Sequence, residues 1–176
     1  QIFGNNLNKS PKFRILNIHD ILKKDFDNLE KILISLKRNW EFIDPSKLNN
    51  INISKNKNFI LLTFDDGYKS QKIFTDKILN KLEIKAIFFV VTNFLNCNDK
   101  NDAKNFILKN IDSSIDKNKE RFEQVNSMNF DDLSELKFND HLIGCHTANH
   151  KKLSTINNPH ELDFEIYDSK KKLEKV

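Results

Sequence analysis

The chain reads as an α/β protein built on a parallel sheet, and three observations predict it. Phe59-Ile60-Leu61-Leu62-Thr63-Phe64 is a continuous apolar run rather than an alternating one, the pattern of a strand covered on both faces. Helical spacing follows from about Ser70 to Leu82, and Ile84 to Val91 is a second such run. Strand, helix and strand in this order make a right-handed crossover between parallel strands.

Each remaining element has its own signal. Phe13 to Ile18 reads as a first strand. From Phe26 to Asn39, the positions Phe26, Leu29, Ile32, Leu33 and Leu36 form one helical stripe. Trp40, Phe42 and Ile43 then lead to Asp44-Pro45, a turn or helix start. Asn49 to Asn58 is polar and Asn-rich and reads as a loop. In the second helix Ile73, Phe74, Ile78, Leu79 and Leu82 are expected to face inward. Residues 92 to 126 are polar and weakly patterned, with helix expected around Asn105 to Ile115. Phe130 to Phe138 reads as a short helix, and Leu142 to Cys145 as a strand ending at His146. Asn158, Pro159 and Glu161 stand at the cap, first and third positions of a last helix. Its inward residues are expected to be Leu162, Ile166 and Leu173. No internal repeat and no domain-splitting linker interrupts the chain, so one domain is expected over residues 1–176.

Composition narrows the function classes. The chain has 176 residues with 29 basic and 25 acidic side chains, a net charge of +4. That excess is small and scattered, so nucleic acid is not an expected partner. The Lys-rich stretches, Lys55 with Lys57 and Lys170 to Lys172, read as solvated faces. No apolar run reaches the length of a membrane span, and residues 1 to 12 hold no signal-peptide core. The chain opens on Gln1 rather than Met, which leaves room for a lost leader; a cytoplasmic location is slightly favoured. Cys97 and Cys145 make no disulfide framework. Cys145 precedes His146, but a buried inert thiol is the better reading of it than a ligand.

Two segments carry the chemistry. Thr63-Phe64-Asp65-Asp66-Gly67 closes one buried strand, and His146-Thr147-Ala148-Asn149-His150 closes another. Both fall at the carboxyl ends of parallel strands, the edge that hosts sites in α/β folds. By itself Asp-Asp-Gly is a common turn. Adjacent strand residues point to opposite faces, so Asp65 and Asp66 are expected to take two different roles. Gly67 permits the tight turn that brings both toward one cavity. His146 and His150, at i and i+4, share one face if the segment coils into a helical turn. One Asp and two His make a metal-ligand set with open positions. A bound metal lowers the pKa of water and polarises a carbonyl oxygen. The other Asp is then available as general base for hydrolysis of an amide or ester. His19 closes the first strand and could border the cavity, whereas His141 has no partner and His160 reads as surface. Two other classes fit less well. Aspartyl phosphotransferases separate their acids by one residue to put both on one face. Glycosidase carboxylates must flank the bond, which adjacent residues do poorly, and that class leaves the histidines unexplained.

At these residues the chain resembles the polysaccharide deacetylase family, the NodB-homology domains of carbohydrate esterase family 4. Its first motif stands unbroken at Thr63 to Gly67, and its second, His-Ser/Thr-x-x-His, at His146 to His150. Tyr68-Lys69-Ser70, Ile84 to Val90, Phe13 to Ile21 and Met128 to Leu133 resemble the family's flanking segments. The resemblance implies Asp65 as general base, Asp66, His146 and His150 as metal ligands, and Thr147 as a brace of the second motif. It implies one divalent metal ion, zinc before other first-row metals. It also implies removal of acetyl groups from N-acetylated or O-acetylated sugars of a polysaccharide. The fold it implies is a distorted (β/α) barrel. The family's three later motifs, which supply an arginine, an oxyanion donor and an acid histidine, have no counterpart before Val176. About four strands are counted, roughly half a barrel. The expectation is therefore the N-terminal half of a C-terminally incomplete domain, completed by a further chain segment or subunit. A non-catalytic metal- and carbohydrate-binding remnant is the alternative.

Overall fold

The structure is a computed structural model describing residues 12–50 and 57–176. The Asn49–Asn58 loop expectation therefore lies mostly outside the described residues. Its centre is a five-stranded sheet whose main path runs β1-β3-β4-β5. These strands are β1 (Phe13–Ile18), β3 (Phe59–Asp66), β4 (Ala86–Val90) and β5 (Leu142–Cys145). Among the described residues these strands pair in parallel: Phe13 to Ile18 beside Phe59 to Phe64, Leu62 to Asp66 beside Ala86 to Val90, and Ile87 to Val90 beside Leu142 to Cys145. A two-residue strand, β2 (Glu41–Phe42), pairs with Phe59 and Ile60. β1 already occupies one side of those residues, so β2 lies on the other, the side β4 uses further along. Two residues among polar neighbours carry too little periodicity to read as a strand, which is why only a turn or helix start is expected there.

The strands owe their burial to cover on both faces. All of Phe59 to Phe64 is buried, as the continuous apolar run predicts. Phe64 and Phe88 stack across β3 and β4 with centroids 4.8 Å apart. On one face packs α1 (Phe26–Lys37). It buries Phe26 and Leu33 but leaves Ile32 largely exposed, a narrower stripe than the spacing predicts. Phe26 meets Phe74 edge to face at 5.2 Å. Phe74 ends α2 (Lys69–Phe74), which continues as a π-helical turn over Thr75–Leu79. Phe74, Ile78 and Leu79 face inward as expected; Ile73 does not.

The segment after β4 holds more order than its sequence suggests. It forms α3 (Lys100–Asn110) and α4 (Lys119–Gln124). Ala103, Ile107, Ile115 and Val125 join Tyr68, Val91 and Phe94 in a second apolar cluster. Widely spaced anchors of this kind do not register as periodicity. α5 (Phe130–Phe138) starts from a capping box between Asn129 and Asp132, and Asp132 also pairs with Lys69 at 2.6 Å. The last helix comprises α6 (Pro159–Asp163), a π-helical turn at Phe164–Asp168 and α7 (Ser169–Leu173), capped by Asn158 as predicted. Its inward face differs from expectation: Ile166 is 46% exposed, while Glu165 and Ser169 are buried.

Candidate metal centre

The two motifs meet at the carboxyl edge of the sheet, one strand apart on either side of β4. At the end of β3 the chain turns through two consecutive left-handed residues, Asp66 at φ 77° and Gly67 at φ 97°. Asp tolerates this conformation better than most residues and Gly adopts it freely. The turn sends the two carboxylates different ways. Asp65 faces β1, where its Oδ2 accepts a hydrogen bond from Asn17 Nδ2 at 2.8 Å and lies 3.8 Å from His19 Nε2. Asn17 is itself held, its Oδ1 accepting from the Thr63 hydroxyl at 2.9 Å. Asp66 faces the other way, toward β5, and is 1% exposed.

His146 and His150 reach Asp66 by a route the sequence did not suggest. The segment is not helical. Beyond β5 it is an irregular loop with Thr147 at φ 69° and His150 at φ 61°. Each such residue costs roughly 1–2 kcal/mol relative to ordinary backbone, so the loop needs outside support. Part comes from the Thr147 hydroxyl, which accepts the His150 N–H at 2.8 Å. Part comes from the loop after β4, where the Thr92 and Asn93 N–H groups donate to the Thr147 and Ala148 carbonyls. The result puts both Nε2 atoms 3.7 Å from Asp66 Oδ1, with ring centroids 5.0 Å apart. Ligand atoms of all three residues lie within 4.8 Å of one another.

The electrostatics of this trio fit a cation. Asp66 Oδ1 is buried and has no hydrogen-bond partner among the described residues, an expensive state for a carboxylate oxygen. Burial pushes the Asp66 carboxyl above its ordinary value, with the imidazoles offsetting only part of the rise. Burial likewise lowers the His146 imidazole, favouring its neutral, metal-binding form. Two atoms each bound to zinc at its usual N and O distances and a tetrahedral angle lie about 3.3 Å apart; the two Asp66–imidazole separations, 3.7 Å each, exceed that by a few tenths of an ångström. Cys145 stays outside the set, its Sγ 3.0 Å from the Ser169 hydroxyl; it is half-buried rather than buried.

Besides Asn17, two further supporting residues escaped the sequence reading. Gln71, fully buried on α2, donates its amide to the carbonyls of both His19 and Asp65, tying the ends of β1 and β3 together. Glu165 accepts hydrogen bonds from the histidine loop. In both cases the only signal was a polar residue within or beside an apolar stripe.

Comparison with known proteins agrees with this geometry. The family model described as polysaccharide deacetylase matches residues 52–176, and the chain belongs to that family. No curated protein sequence gives a significant match. Among solved structures, the Streptococcus pyogenes deacetylase PplD aligns with a TM-score of 0.65 at 18% identity, over 94% of this chain and 68% of that one. IcaB from Ammonifex degensii gives 0.69 at 15% identity, over 94% and 70%. BA0330 of Bacillus anthracis, described as a putative polysaccharide deacetylase, gives 0.62 at 21% identity, over 93% and 46%. At these identities the likeness shows the fold: an α/β chain with a parallel sheet, covering part of the (β/α) barrel of such deacetylases.

Proposed function

We propose that the chain acts as a metal-dependent hydrolase, removing acetyl groups from N-acetylated or O-acetylated sugars of a polysaccharide. Asp66, His146 and His150 are its metal ligands and Asp65 its general base. The observation that carries this reading is Asp66 Oδ1, buried and without a hydrogen-bond partner among the described residues, with two imidazole nitrogens at 3.7 Å. Family membership gives the reaction class. The Streptococcus pyogenes deacetylase PplD was solved in complex with acetate, the acid such a reaction releases.

The reaction adds water across the acyl bond. A water oxygen bonds to the carbonyl carbon, the carbon–nitrogen or carbon–oxygen bond breaks, and acetate leaves beside a free amine or hydroxyl. A divalent ion, zinc first among the candidates, supplies Lewis acidity toward the acyl oxygen and water. The chain's own part is to hold that ion and take the proton. Asp65 takes it, as a carboxylate whose orientation is fixed through Oδ2 by Asn17 and Thr63, and the proton ends on the departing nitrogen or oxygen. Asp65 is left out of the trio by its hydrogen bond to Asn17, yet its charge still acts on the His146 imidazole, which supports a base beside the ligand set.

Replacing Asp65 with Asn tests the division of roles. The variant keeps the shape of the side chain but cannot accept a proton. Bound zinc should remain at the wild-type level, while acetate release from a chitin-type oligomer falls about 10²–10⁴-fold, the usual contribution of a general base. Loss of zinc with retained activity would reverse the assignments. Zinc and glycan binding without acetate release from the unaltered chain would favour the non-catalytic reading.

A further inference from the structure

The histidine loop is gripped by the last helix through a carboxylate to which the mechanism assigns no role. Glu165 is completely buried. Its Oε2 accepts the backbone N–H groups of Ala148 at 3.0 Å and Asn149 at 2.8 Å, the Ala148 N–H being shared with the Glu165 main-chain carbonyl at 3.1 Å, and its Oε1 accepts Asn149 Nδ2 at 2.7 Å. These donors lie between the two histidines, in the stretch bounded by left-handed Thr147 and His150. The contacts continue outward. Asn149 Oδ1 accepts from Asn93 Nδ2 at 2.8 Å, and Asn93 Oδ1 accepts from Lys172 Nζ at 2.9 Å. Lys172 belongs to the same helix as Glu165, about two turns on, so the helix holds the loop at two points.

The ends of this chain of bonds fix its direction. An ammonium can only donate and a carboxylate can only accept. Each Asn between them must therefore turn its oxygen toward Lys172 and its NH2 toward Glu165. Neither amide can reverse alone without placing donor against donor.

We infer that Glu165 is a positioning residue of the metal centre. With Lys172, Asn93 and Asn149 it forms a one-way hydrogen-bond relay that holds the histidine loop in its left-handed form. The inference rests on the ligand assignment proposed above and deepens it. The relay sets how well His146 and His150 are presented to the ion, so its disruption appears first in metal affinity, before any substrate is present. Outer partners of a metal site commonly contribute about 10–100-fold to affinity.

The test is a titration of the full chain with zinc against a chromophoric chelator. Glu165→Gln keeps the size of the side chain but directs an NH2 at a donor, so the relay is frustrated at one end. Affinity is expected to fall on the order of 10–100-fold. Lys172→Met alone should change affinity less than about threefold, because the relay only loses its outer anchor. Combined with Glu165→Gln it should restore much of the loss, since both Asn amides are then free to turn over. A second substitution that helps only in the presence of the first is an outcome that simple packing does not produce. Asn93→Asp, at a half-buried position that need not disturb folding, keeps the bond to Lys172 but removes the donor to Asn149; it should lower affinity as well. Glu165→Gln binding zinc within about twofold of wild type, or single effects that merely add, would overturn the relay while leaving the ligands in place. If Glu165→Gln does not fold, Asn93→Asp decides the question in the same way. Wild-type protein that takes up no zinc would overturn the ligand assignment and the relay with it.

Discussion

At the scale of single residues, His141 shows how hydrogen bonding fixes a protonation state. It is buried, its Nδ1 accepts the Ala86 N–H at 3.2 Å, and its Nε2 faces Asn80 Oδ1 at 3.2 Å. That pattern requires the neutral ring protonated on Nε2; a second proton on Nδ1 would point at the Ala86 N–H. Burial pushes the pKa from 6.5 down to about 4. Because the folded value is the lower one, the unfolded chain binds more protons between those limits. The contribution is therefore complete above pH 6.5 and is lost as pH falls toward 4, by roughly 3 kcal/mol in all. Urea unfolding of His141→Leu should show lower stability near neutrality but a shallower decline between pH 6.5 and 4. An unchanged decline would remove His141 as its cause. The same scale separates what the sequence disclosed from what it did not. Adjacent carboxylates on a strand had to diverge, so two faces for Asp65 and Asp66 were legible. Glu165 was not, because a glutamate on an amphipathic helix ordinarily marks the solvent side. Leu162, Glu165, Ser169 and Leu173 are spaced as regularly as a stripe running through Ile166. Hydrophobicity alone selects the second stripe, whereas the loop's unsatisfied N–H donors select the first.

At the scale of elements, the β4–β5 pairing depends on a missing side chain. Gly144 lies opposite Phe89, and a Cβ at Gly144 would stand 2.4 Å from Phe89 Cδ1 and 2.6 Å from its Cε1. The ring occupies the space a side chain would take, on the strand that delivers His146. Gly144→Ala should destabilise the protein by about 1–3 kcal/mol, as overpacking usually does. In a Phe89→Ala background the same substitution should cost far less; equal costs in both backgrounds would mean the ring is not the obstacle. The elements themselves were legible where pattern and length agreed. β1, β5 and α5 match their predicted limits because each is a compact run with clear ends. The histidine segment did not follow its i, i+4 spacing into a helix, since its donors bind Glu165 and the Thr147 hydroxyl instead of preceding carbonyls. α4 was missed because only scattered residues of its region reach the second apolar cluster.

At the scale of the molecule, the proposed ligand set would tie the sheet together once an ion is bound. In the order β1-β3-β4-β5, Asp66 closes β3 and the histidines follow β5, so the three residues span β4. None of the three retains its arrangement in an unfolded chain, and an ion bound by all of them favours the folded state. At free zinc about 100-fold above its dissociation constant the linkage amounts to about 2.7 kcal/mol. For a chain of this size that corresponds to a rise of about 5–10 °C in melting temperature. A chelator should reverse the rise. His150→Ala removes one proposed ligand and should abolish most of the shift, whereas Asp65→Asn, which alters the proposed base and leaves the proposed ligands, should keep it. A zinc-induced rise that survives His150→Ala in full would place the stabilising ion somewhere other than between β3 and β5. A rise lost equally in both variants would mean that Asp65 and Asp66 hold the ion together, and the division of labour between the two carboxylates would fail with it.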